Sequence, residues 1–343
     1  MKQALKLQME KAMLPSGYKS KLDFIQTQRA IKVVKDSFER KLATALSLIR
    51  VSAPRFLKLG KGLQDDLAGT QVPVSFTLKH TGDTVEIVHS LAKWKRFALG
   101  RYDFKHGTGL YTDMDAVRKD EELSPIHSIY VDQWDWEKVI STDDRSIEFL
   151  KKTVKKIYSA IVETEKVVEK EFPEIKARLP EEITFLHTME VERMYPDLTS
   201  KEREDAIAKA YGAVFLIGIG HLLESGEPHD LRAADYDDWR LNGDIIIWDK
   251  TREKSLELSS MGVRVDADSL KEQLKHMGLE DRKELEFHKG ILDDKLPLSI
   301  GGGIGQSRLC MALLHKAHIG EVQSSIWPTT VEEEFKEKGV PLL

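Results

Sequence analysis

A glycine cluster near the C-terminus is the most conspicuous candidate for a binding site in this sequence. It reads Gly301-Gly-Gly-Ile-Gly-Gln-Ser-Arg308, and it is expected to end a strand and begin a helix. Glycines let a backbone approach a ligand closely, and the first N–H groups of a helix can bind an anion. The cluster lacks the Lys-Ser/Thr pair of a P-loop and the glycine spacing of a dinucleotide-binding loop. It predicts either a ligand site with an arginine in the first helical turn, or a tight turn whose arginine is solvated.

Two carboxylates suggest a metal site. If Lys250 and Thr251 form the tip of a hairpin, its two strands place Asp244 directly across from Glu257. Facing carboxylates repel each other, and a divalent cation would convert that repulsion into coordination. Oxygen ligands with few protein contacts suit Mg²⁺ that carries a polyphosphate. The alternative is two strand-end carboxylates in water.

Basic and acidic side chains elsewhere could complete such a site. Lys95, Arg118, Arg264 and Arg308 are spread along the chain, and the planar fork of arginine suits phosphate and carboxylate groups. Taken singly, each of them is more often a solvated side chain than a ligand-binding one. The acidic loops at 60–66 and 235–239 could bind an ammonium group, although such loops are usually solvated turns.

The sequence lacks the motifs of several other chemistries. There is no His-Glu-x-x-His or Gly-x-Ser-x-Gly motif, and His89 and His127 have no partner at zinc-ligand spacing. The single cysteine, Cys310, excludes an intramolecular disulfide and a multi-cysteine metal site. It falls on the apolar side of its helix, which favours a core residue over a nucleophile.

The overall charge excludes further classes of protein. With 57 acidic and 52 basic residues the formal net charge is −5, so no global attraction for nucleic acid or an anionic membrane is expected. The hydrophobic fraction of 41% is that of an ordinary globular protein. The N-terminus lacks the apolar stretch of a secretory signal, so a cytoplasmic location is expected.

The elements that must position these residues are predicted from periodicity. Apolar residues spaced by three, four or seven predict one long helix over 21–46, whose start Gly17 and Ser20 supply, followed by a short strand that stops at Pro54. Residues 128–136 are predicted as a strand that places Gln133 and Asp135 on one face. Further strands are predicted at 72–78, 84–89, 213–219, 244–248 and 255–260. Further helices are predicted after Ser90, which could cap the first of them, and at 145–172, 201–210 and 306–316.

This order of elements predicts an α+β fold with a mainly antiparallel β-sheet flanked by helices. Residues 21–343 are expected to form a single catalytic domain, and residues 1–20 an N-terminal extension.

Three parts of the sequence, taken in order, resemble the three motifs of class II aminoacyl-tRNA synthetase catalytic domains. They are the helix and strand ending at Pro54, the arginine that follows a strand at Arg118, and the glycine cluster ending at Arg308. Longer strings are similar to the ammonia-dependent asparagine synthetase (aspartate–ammonia ligase) family within that superfamily. They are Gln64-Asp-Asp-Leu-Ala-Gly69, Val88-His-Ser-Leu-Ala-Lys-Trp-Lys-Arg96, Tyr130-Val-Asp-Gln-Trp-Asp-Trp136, Asp235-Tyr-Asp-Asp-Trp239, Leu241-Asn-Gly-Asp244 and Glu257-Leu-Ser-Ser-Met-Gly262.

The resemblance implies a two-step ligase reaction. ATP adenylates the side-chain carboxylate of aspartate and releases pyrophosphate, and ammonia then displaces AMP to give asparagine. On the matching positions, Arg118 and Arg308 would contact the phosphates, Asp244 and Glu257 would hold Mg²⁺, and Asp65 would orient ammonia or accept its proton. The aspartate substrate would be fixed by Lys95, Gln133, Asp135, Asp237, Ser260 and, less certainly in the motif, Arg264.

The resemblance also implies a homodimer, because the first motif forms the subunit interface in those families. Only 20 residues precede that motif, which leaves no room for an anticodon-binding domain, so no nucleic-acid partner and no membrane are expected. Glutamine is not expected as the nitrogen donor, since there is no N-terminal cysteine. Two alternatives remain: a synthetase-like enzyme that acylates tRNA or another acceptor, and a non-catalytic regulator that binds an amino acid.

Overall fold

The long N-terminal helix begins at an aspartate. In the computed structural model, which describes residues 13–67 and 71–343, helix α1 spans Phe24–Leu46. The Asp23 carboxylate accepts the N–H of Gln26 at 2.7 Å, and the Gln26 side chain accepts the N–H of Asp23 at 3.0 Å. This capping box satisfies two free N–H groups and fixes the start. The predicted start at Gly17 and Ser20 is wrong, because the Ser20 hydroxyl donates to the carbonyl of Leu22 ahead of the helix.

The remaining elements follow in chain order. The strands are β1 (Leu48–Arg50), β2 (Phe56–Lys58), β3 (Ser75–Thr77), β4 (Thr84–Ile87), β5 (Gly109–Val117), β6 (Tyr130–Val139), β7 (Thr184–His187), β8 (Ala213–Ile217), β9 (Asp237–Asp249), β10 (Lys254–Arg264) and β11 (Ser299–Gly305). The helices after α1 are α2 (Ala92–Arg101), α3 (Ile147–Glu171), α4 (Thr188–Met194), α5 (Ser200–Tyr211), α6 (Ala267–His276), α7 (Glu286–Leu292), α8 (Gln306–Leu313) and α9 (Thr329–Lys338).

An eight-stranded sheet organises these elements in the order β1-β5-β6-β11-β10-β9-β8-β7. Its two outermost pairs, β1 with β5 and β7 with β8, are parallel, and the pairs between them are antiparallel. The predicted α+β class with a mainly antiparallel sheet is therefore confirmed. The predicted strands at 72–78 and 84–89 do not join this sheet, since β3 and β4 form a separate three-stranded sheet with β2.

The two faces of the large sheet carry different helices. Helices α1, α3 and α8 pack on one face, where Phe38 meets Trp134 at a ring-centroid distance of 4.8 Å. Helix α2 covers the β5–β6 end of the other face, and α5 covers the β8–β9 end. Between these two helices the second face is left open above the middle strands. Because successive side chains alternate between faces, Gln133 and Asp135 of β6 point to that open face, as predicted.

The β9–β10 hairpin has a different register from the predicted one. The turn takes the four residues 250–253, with Glu253 in the left-handed region at a φ of 53°, and an irregularity at Leu258 adds one residue to β10. Asp244 consequently pairs with Ser260, and Glu257 pairs with Ile246. The prediction that Asp244 lies directly across from Glu257 is wrong. The two carboxylates still share a face as diagonal neighbours, because Asp244 lies two residues from Ile246.

The glycines of the cluster lie inside strand β11, which runs directly into α8, and close contacts explain them better than a turn does. None of Gly301, Gly302, Gly303 and Gly305 has a positive φ. A Cβ atom on Gly301 would lie 1.9 Å from Oε2 of Glu137, and one on Gly303 would lie 2.4 Å from Oε1 of Gln133. Gly301 and Gly303 therefore leave room for side chains of the neighbouring strand β6.

Two further predictions need correction. The acidic segment at 235–239 is only partly a loop, since β9 already begins at Asp237. Helix α2 has Leu91 as its N-cap residue, while Ser90 lies one residue earlier and accepts the N–H of Ala92 at 3.3 Å. Within the part of the chain that the structure describes, no helix is both long enough and apolar enough to cross a membrane.

The expected N-terminal extension lies mostly outside the described residues. Of its 20 positions, residues 13–20 are described, and they pack against the C-terminal part of the chain. The N–H groups of Met13 and Leu14 donate to the Glu334 carboxylate at 3.0 and 3.1 Å, and the Tyr18 hydroxyl donates to Glu321.

Two glycines of β11 should respond differently to a methyl group. A Cβ on Gly302 would lie 2.4 Å from the Cβ of Met261 and 2.6 Å from the carbonyl oxygen of Ser260, neither of which can move without shifting β10. Gly302→Ala is expected to lower the free energy of unfolding by about 2–3 kcal/mol. Gly303→Ala crowds only the movable end of the Gln133 side chain, and it should cost less than about 1 kcal/mol. Urea unfolding of both variants measures the difference; equal losses would contradict this account of the strand.

Candidate active site

A cavity of about 320 Å³ opens on the face of the sheet between α2 and α5. It is lined by residues of β6, β9, β10, β11, α2 and α8, and by segments that follow β5 and precede α2 and β9. Ten of the eleven predicted site residues line it: Asp65, Lys95, Arg118, Gln133, Asp135, Asp237, Glu257, Ser260, Arg264 and Arg308. The eleventh, Asp244, does not line the cavity, but it is ion-paired to Arg232, which does.

Lys95 is fully buried at the floor of the cavity. Its ammonium group forms an ion pair with Asp135 and donates to the carbonyl oxygen of Gly302 at 2.9 Å. Burial lowers the pKa of Lys95, since the negative charge of Asp135 only partly compensates for the lost hydration. The second oxygen of Asp135 accepts the N–H of Leu91 at 3.1 Å, which ties this pair to the start of α2.

Arg264 joins three strands beneath the same cavity. Its Nε and Nη2 donate to the two oxygens of Glu137 at 2.9 and 2.7 Å, and its Nη1 forms an ion pair with Asp237. Burial raises the pKa of Asp237, and the positive charge of Arg264 counteracts only part of that rise. The Glu137 carboxylate lies in the space that a Cβ atom on Gly301 would fill. The glycine therefore makes this buried bidentate pair possible.

Asp65 lies in the segment between β2 and β3, and it lines the cavity. One of its oxygens accepts the Ser90 hydroxyl at 2.5 Å, and the other accepts the N–H of Leu67 at 2.9 Å. Its own carbonyl oxygen lies 3.2 Å from Nδ1 of His89. Asp65 is thus held by the connection between β4 and α2, and it faces the cavity that also contains Asp135 and Asp237.

Arg118 and Arg308 bring positive charge to another part of the wall. Arg118 follows β5 as predicted and donates from Nη2 to the carbonyl oxygen of His89 at 3.2 Å. Arg308 lies in the first turn of α8, where its Nη1 is 3.4 Å from Oε2 of Glu257 and 3.2 Å from the carbonyl oxygen of the same residue. Arg308 lines the cavity, so the arginine that follows the glycine cluster faces a space that could take a ligand.

The Asp244 and Glu257 carboxylates have opposite pKa shifts. Burial raises the pKa of Asp244 to about 7, and the charge of Glu257 adds to the rise although Arg232 opposes it. Burial also acts to raise the pKa of Glu257, but the positive charges of Arg308 and Arg232 outweigh it and leave that pKa below its usual value. The two groups therefore interact electrostatically across the face that they share.

One carboxylate oxygen of this pair is available as a ligand. Arg232 occupies one oxygen of Asp244, and the other oxygen is buried without a hydrogen-bond partner. Among the described residues no group of three or more His, Cys, Asp or Glu side chains is arranged to hold a metal ion. Two carboxylates with one free buried oxygen suit Mg²⁺ bound to a polyphosphate better than a metal held only by protein.

Several residues of the site were not predicted. Ser90 binds Asp65, Glu137 binds Arg264, and Arg232 binds Asp244. No local sequence pattern identifies these residues. Glu137 and Arg264, for example, bind each other although they are 127 positions apart in the chain. Cys310 is buried in the core as predicted, and burial raises the pKa of its thiol to about 12, which leaves it unreactive.

The fold is shared with two solved synthetases. Asparaginyl-tRNA synthetase of Entamoeba histolytica, solved with asparaginyl-adenylate, superposes with a TM-score of 0.62 at 14% identity over 87% of this chain and 66% of that chain. Asparaginyl-tRNA synthetase of Pyrococcus horikoshii, also with asparaginyl-adenylate, gives a TM-score of 0.62 at 16% identity over 88% of this chain and 70% of that one. The expected class II synthetase fold is confirmed, and this chain spans about two thirds of those longer chains.

The sequence relatives are much closer and match over nearly their full length. The aspartate–ammonia ligase of Clostridium tetani is 58% identical over 335 residues, which cover 97% of this chain and 98% of that protein. The aspartate–ammonia ligase of Bacillus cytotoxicus is 55% identical over 325 residues, or 95% of this chain and 99% of that protein. The family profile of aspartate-ammonia ligases matches residues 25–339. The chain therefore belongs to the aspartate–ammonia ligase family.

Proposed function

We propose that this protein makes L-asparagine from L-aspartate, ammonia and ATP, with AMP and pyrophosphate as the other products. The observation that carries the proposal is the single cavity in which ten predicted residues meet, with buried carboxylates and cations side by side. In the first step an oxygen of the aspartate side-chain carboxylate attacks the α-phosphorus of ATP, and pyrophosphate leaves. In the second step ammonia attacks the carbonyl carbon, the bond to AMP breaks, and one proton is released.

The first step needs positive charge near the phosphates. Arg118 is proposed to bind the α-phosphate and to stabilise the charge that develops on it during the transfer. Arg308 is proposed to contact the adenine and the terminal phosphates. Its present partner, Glu257, is only 3.4 Å away, so the arginine is already oriented toward the cavity before nucleotide binds. Asp244 and Glu257 would hold Mg²⁺, which when bound neutralises phosphate charge.

The aspartate substrate carries one ammonium and two carboxylate groups, and the cavity offers complements to each. Asp135 and Asp237 are proposed to bind the ammonium group, while Lys95 and Arg264 provide positive charge for the carboxylates. Both carboxylate–cation pairs are buried, so their side chains are fixed before the substrate arrives. Gln133 and Ser260 are proposed to complete the hydrogen bonds to the substrate.

The second step needs neutral ammonia. Asp65 is proposed to bind ammonium through its cavity-facing carboxylate and to accept a proton as the nitrogen attacks. Ser90 and the N–H of Leu67 already orient this carboxylate, which favours a defined direction of approach.

The proposal extends to assembly and location. We propose that residues 21–343 act as one catalytic domain and that two chains form a homodimer through α1 and β1. Strand β1 lies at the edge of the large sheet, and its Ile49 is 61% exposed, so it offers both free backbone groups and apolar surface. The dimer is proposed to work in the cytoplasm without nucleic acid or membrane, although a functional tRNA requirement would appear in the assay below.

The direct test is to incubate the protein with aspartate, MgATP and ammonium and to identify the products. Asparagine, AMP and pyrophosphate are expected in equal amounts, which chromatography and a coupled pyrophosphate assay can measure. Formation of ADP, or amide formation that requires tRNA, would overturn the proposal. Binding of aspartate without any product would favour the non-catalytic regulator.

Variants of Arg118 and Asp65 should separate the two steps. Arg118→Ala is expected to lower both aspartate-dependent ATP–pyrophosphate exchange and asparagine formation by about 100-fold or more, since it removes a charge used in the first transition state. Asp65→Ala should lower asparagine formation by a similar factor and leave the exchange reaction within about threefold of the wild type. Equal loss of both reactions in Asp65→Ala would contradict its assigned role.

The raised pKa of Asp244 predicts a pH-dependent stability. Because the folded-state pKa of about 7 lies above the unfolded value, the folded protein binds this proton more tightly. The stability that the proton provides is present at low pH and is lost as pH rises toward and through 7. Without nucleotide or metal, wild type should therefore lose more stability than Asp244→Asn when pH is raised from about 5 to about 8.5. Calorimetric unfolding of both proteins measures this; parallel pH profiles would show that Asp244 does not titrate in this range.

A further inference from the structure

The loop that carries Asp65 rests on a segment more than two hundred residues away in sequence. We call residues 60–67 the Asp65 loop and residues 280–288 the supporting segment. The Lys61 ammonium lies 2.6 Å from the Glu286 carboxylate, and the N–H of Phe287 donates to the carbonyl oxygen of Lys61 at 3.4 Å. A Cβ on Gly62 would approach the Cβ of Leu285 to 2.9 Å, so the loop packs directly on the Leu285 side chain and leaves no space for a side chain at position 62.

One side chain of the supporting segment connects this loop to a buried ion cluster. Nη1 of Arg282 lies 2.8 Å from the Asp66 carboxylate and 3.1 Å from Oδ2 of Asp235. That same oxygen of Asp235 also receives Nζ of Lys93 at 2.9 Å and contacts Nε2 of His288 at 3.0 Å. Arg282 therefore bridges an exposed carboxylate next to Asp65 and a carboxylate whose side chain is only 1% exposed.

The buried end of this bridge keeps a fixed negative charge. Burial acts to raise the pKa of Asp235, but Lys93 and His288 overcome it and hold that pKa far below its usual value. Asp235 is therefore ionised near neutral pH, and its negative charge holds Arg282. An arginine that is already fixed loses little side-chain entropy when it binds a second carboxylate, so the bond to Asp66 is stronger than an ordinary surface ion pair.

We propose that Arg282 is a positioning residue for the ammonia step, an inference that rests on the proposed role of Asp65. Ser90 holds Asp65 from the segment before α2, and Arg282 holds the neighbouring Asp66 from the supporting segment. Without this second support the Asp65 carboxylate keeps its bonds to Ser90 and to the N–H of Leu67 but is less rigidly placed, while the residues proposed to bind aspartate and phosphate keep their own partners. The adenylate still forms, but ammonia is bound poorly, and water competes with ammonia in attacking the adenylate. Water gives aspartate and AMP in place of asparagine and AMP.

The ratio of AMP to asparagine therefore reports on the bridge. Asp66→Ala, Arg282→Gln and the double variant are compared with wild type in ATP–pyrophosphate exchange, in the KM for ammonium and in this product ratio. Each is expected to keep the exchange within about twofold, to raise the KM for ammonium roughly tenfold and to give more AMP than asparagine. Because both changes remove the same bridge, the double variant should be no worse than Arg282→Gln.

Matched variants separate positioning from general damage. Glu284→Ala breaks an exposed ion pair with Lys289 in the same segment without touching the loop, and it should behave as wild type. Arg282→Lys keeps the charge and should recover part of the ammonium affinity. Asp66 is exposed, so its alanine variant folds even if a variant of Arg282 does not, and thermal unfolding checks this.

The outcomes distinguish the two proposals. If the wild type makes asparagine and Asp65→Ala has the ammonia-specific defect, but Asp66→Ala and Arg282→Gln retain the wild-type KM and product ratio, the bridge alone is refuted. It is also refuted if both variants lose exchange as strongly as asparagine formation. If the wild type makes no asparagine, or if Asp65→Ala loses both steps equally, the proposed function or the role of Asp65 has failed, and the bridge falls with it.

Discussion

The arrangement of the site depends on one buried ion pair, Arg264 with Glu137. An ionic pair in the interior is tolerated only where its charges and hydrogen-bonding groups are satisfied. Here Ser299 adds a hydroxyl to Glu137 at 2.7 Å, and Asp237 takes the remaining side of the guanidinium. The pair fits because β11 has a glycine opposite Glu137. Strands β6, β9, β10 and β11 are thereby joined by side chains as well as by their backbone ladder, and the cavity rests on that junction.

A second feature of the cavity is that the charges proposed to bind substrate are already paired with one another. Lys95 with Asp135 and Arg264 with Asp237 form alternating charges, so the cavity does not present one strong sign of field. A zwitterionic amino acid can form new ion pairs with both members of such a pair, because an oriented opposite charge is present for its ammonium group and for its carboxylate. A simple anion or cation can satisfy only one half of the arrangement. The pairing therefore favours a ligand that carries both signs.

Much of this architecture could be predicted from the sequence because its signals are local. The period-two pattern placed Gln133 and Asp135 on one face, the apolar side of α8 identified Cys310 as a core residue, and the glycine cluster marked the strand that runs into a helix. What was missed depends on contacts between distant segments. A turn of four residues and an irregular position at Leu258 changed the pairing of Asp244, and neither has a distinctive residue pattern. Glu137 and Arg232 could not be assigned because their partners are known only once the sheet has formed.

The two lysines of α2 limit which changes of length this helix can accept. Lys93 and Lys95 are two positions apart, so about 200° of helix rotation separates them. One ammonium reaches the Asp235 cluster and the other reaches the cavity floor, and both are almost completely buried. A rotation or a shift of the helix by one residue would remove both from their carboxylates at once. Insertions and deletions at or between these two lysines are therefore excluded by electrostatics, because each would take a buried ammonium group away from its carboxylate.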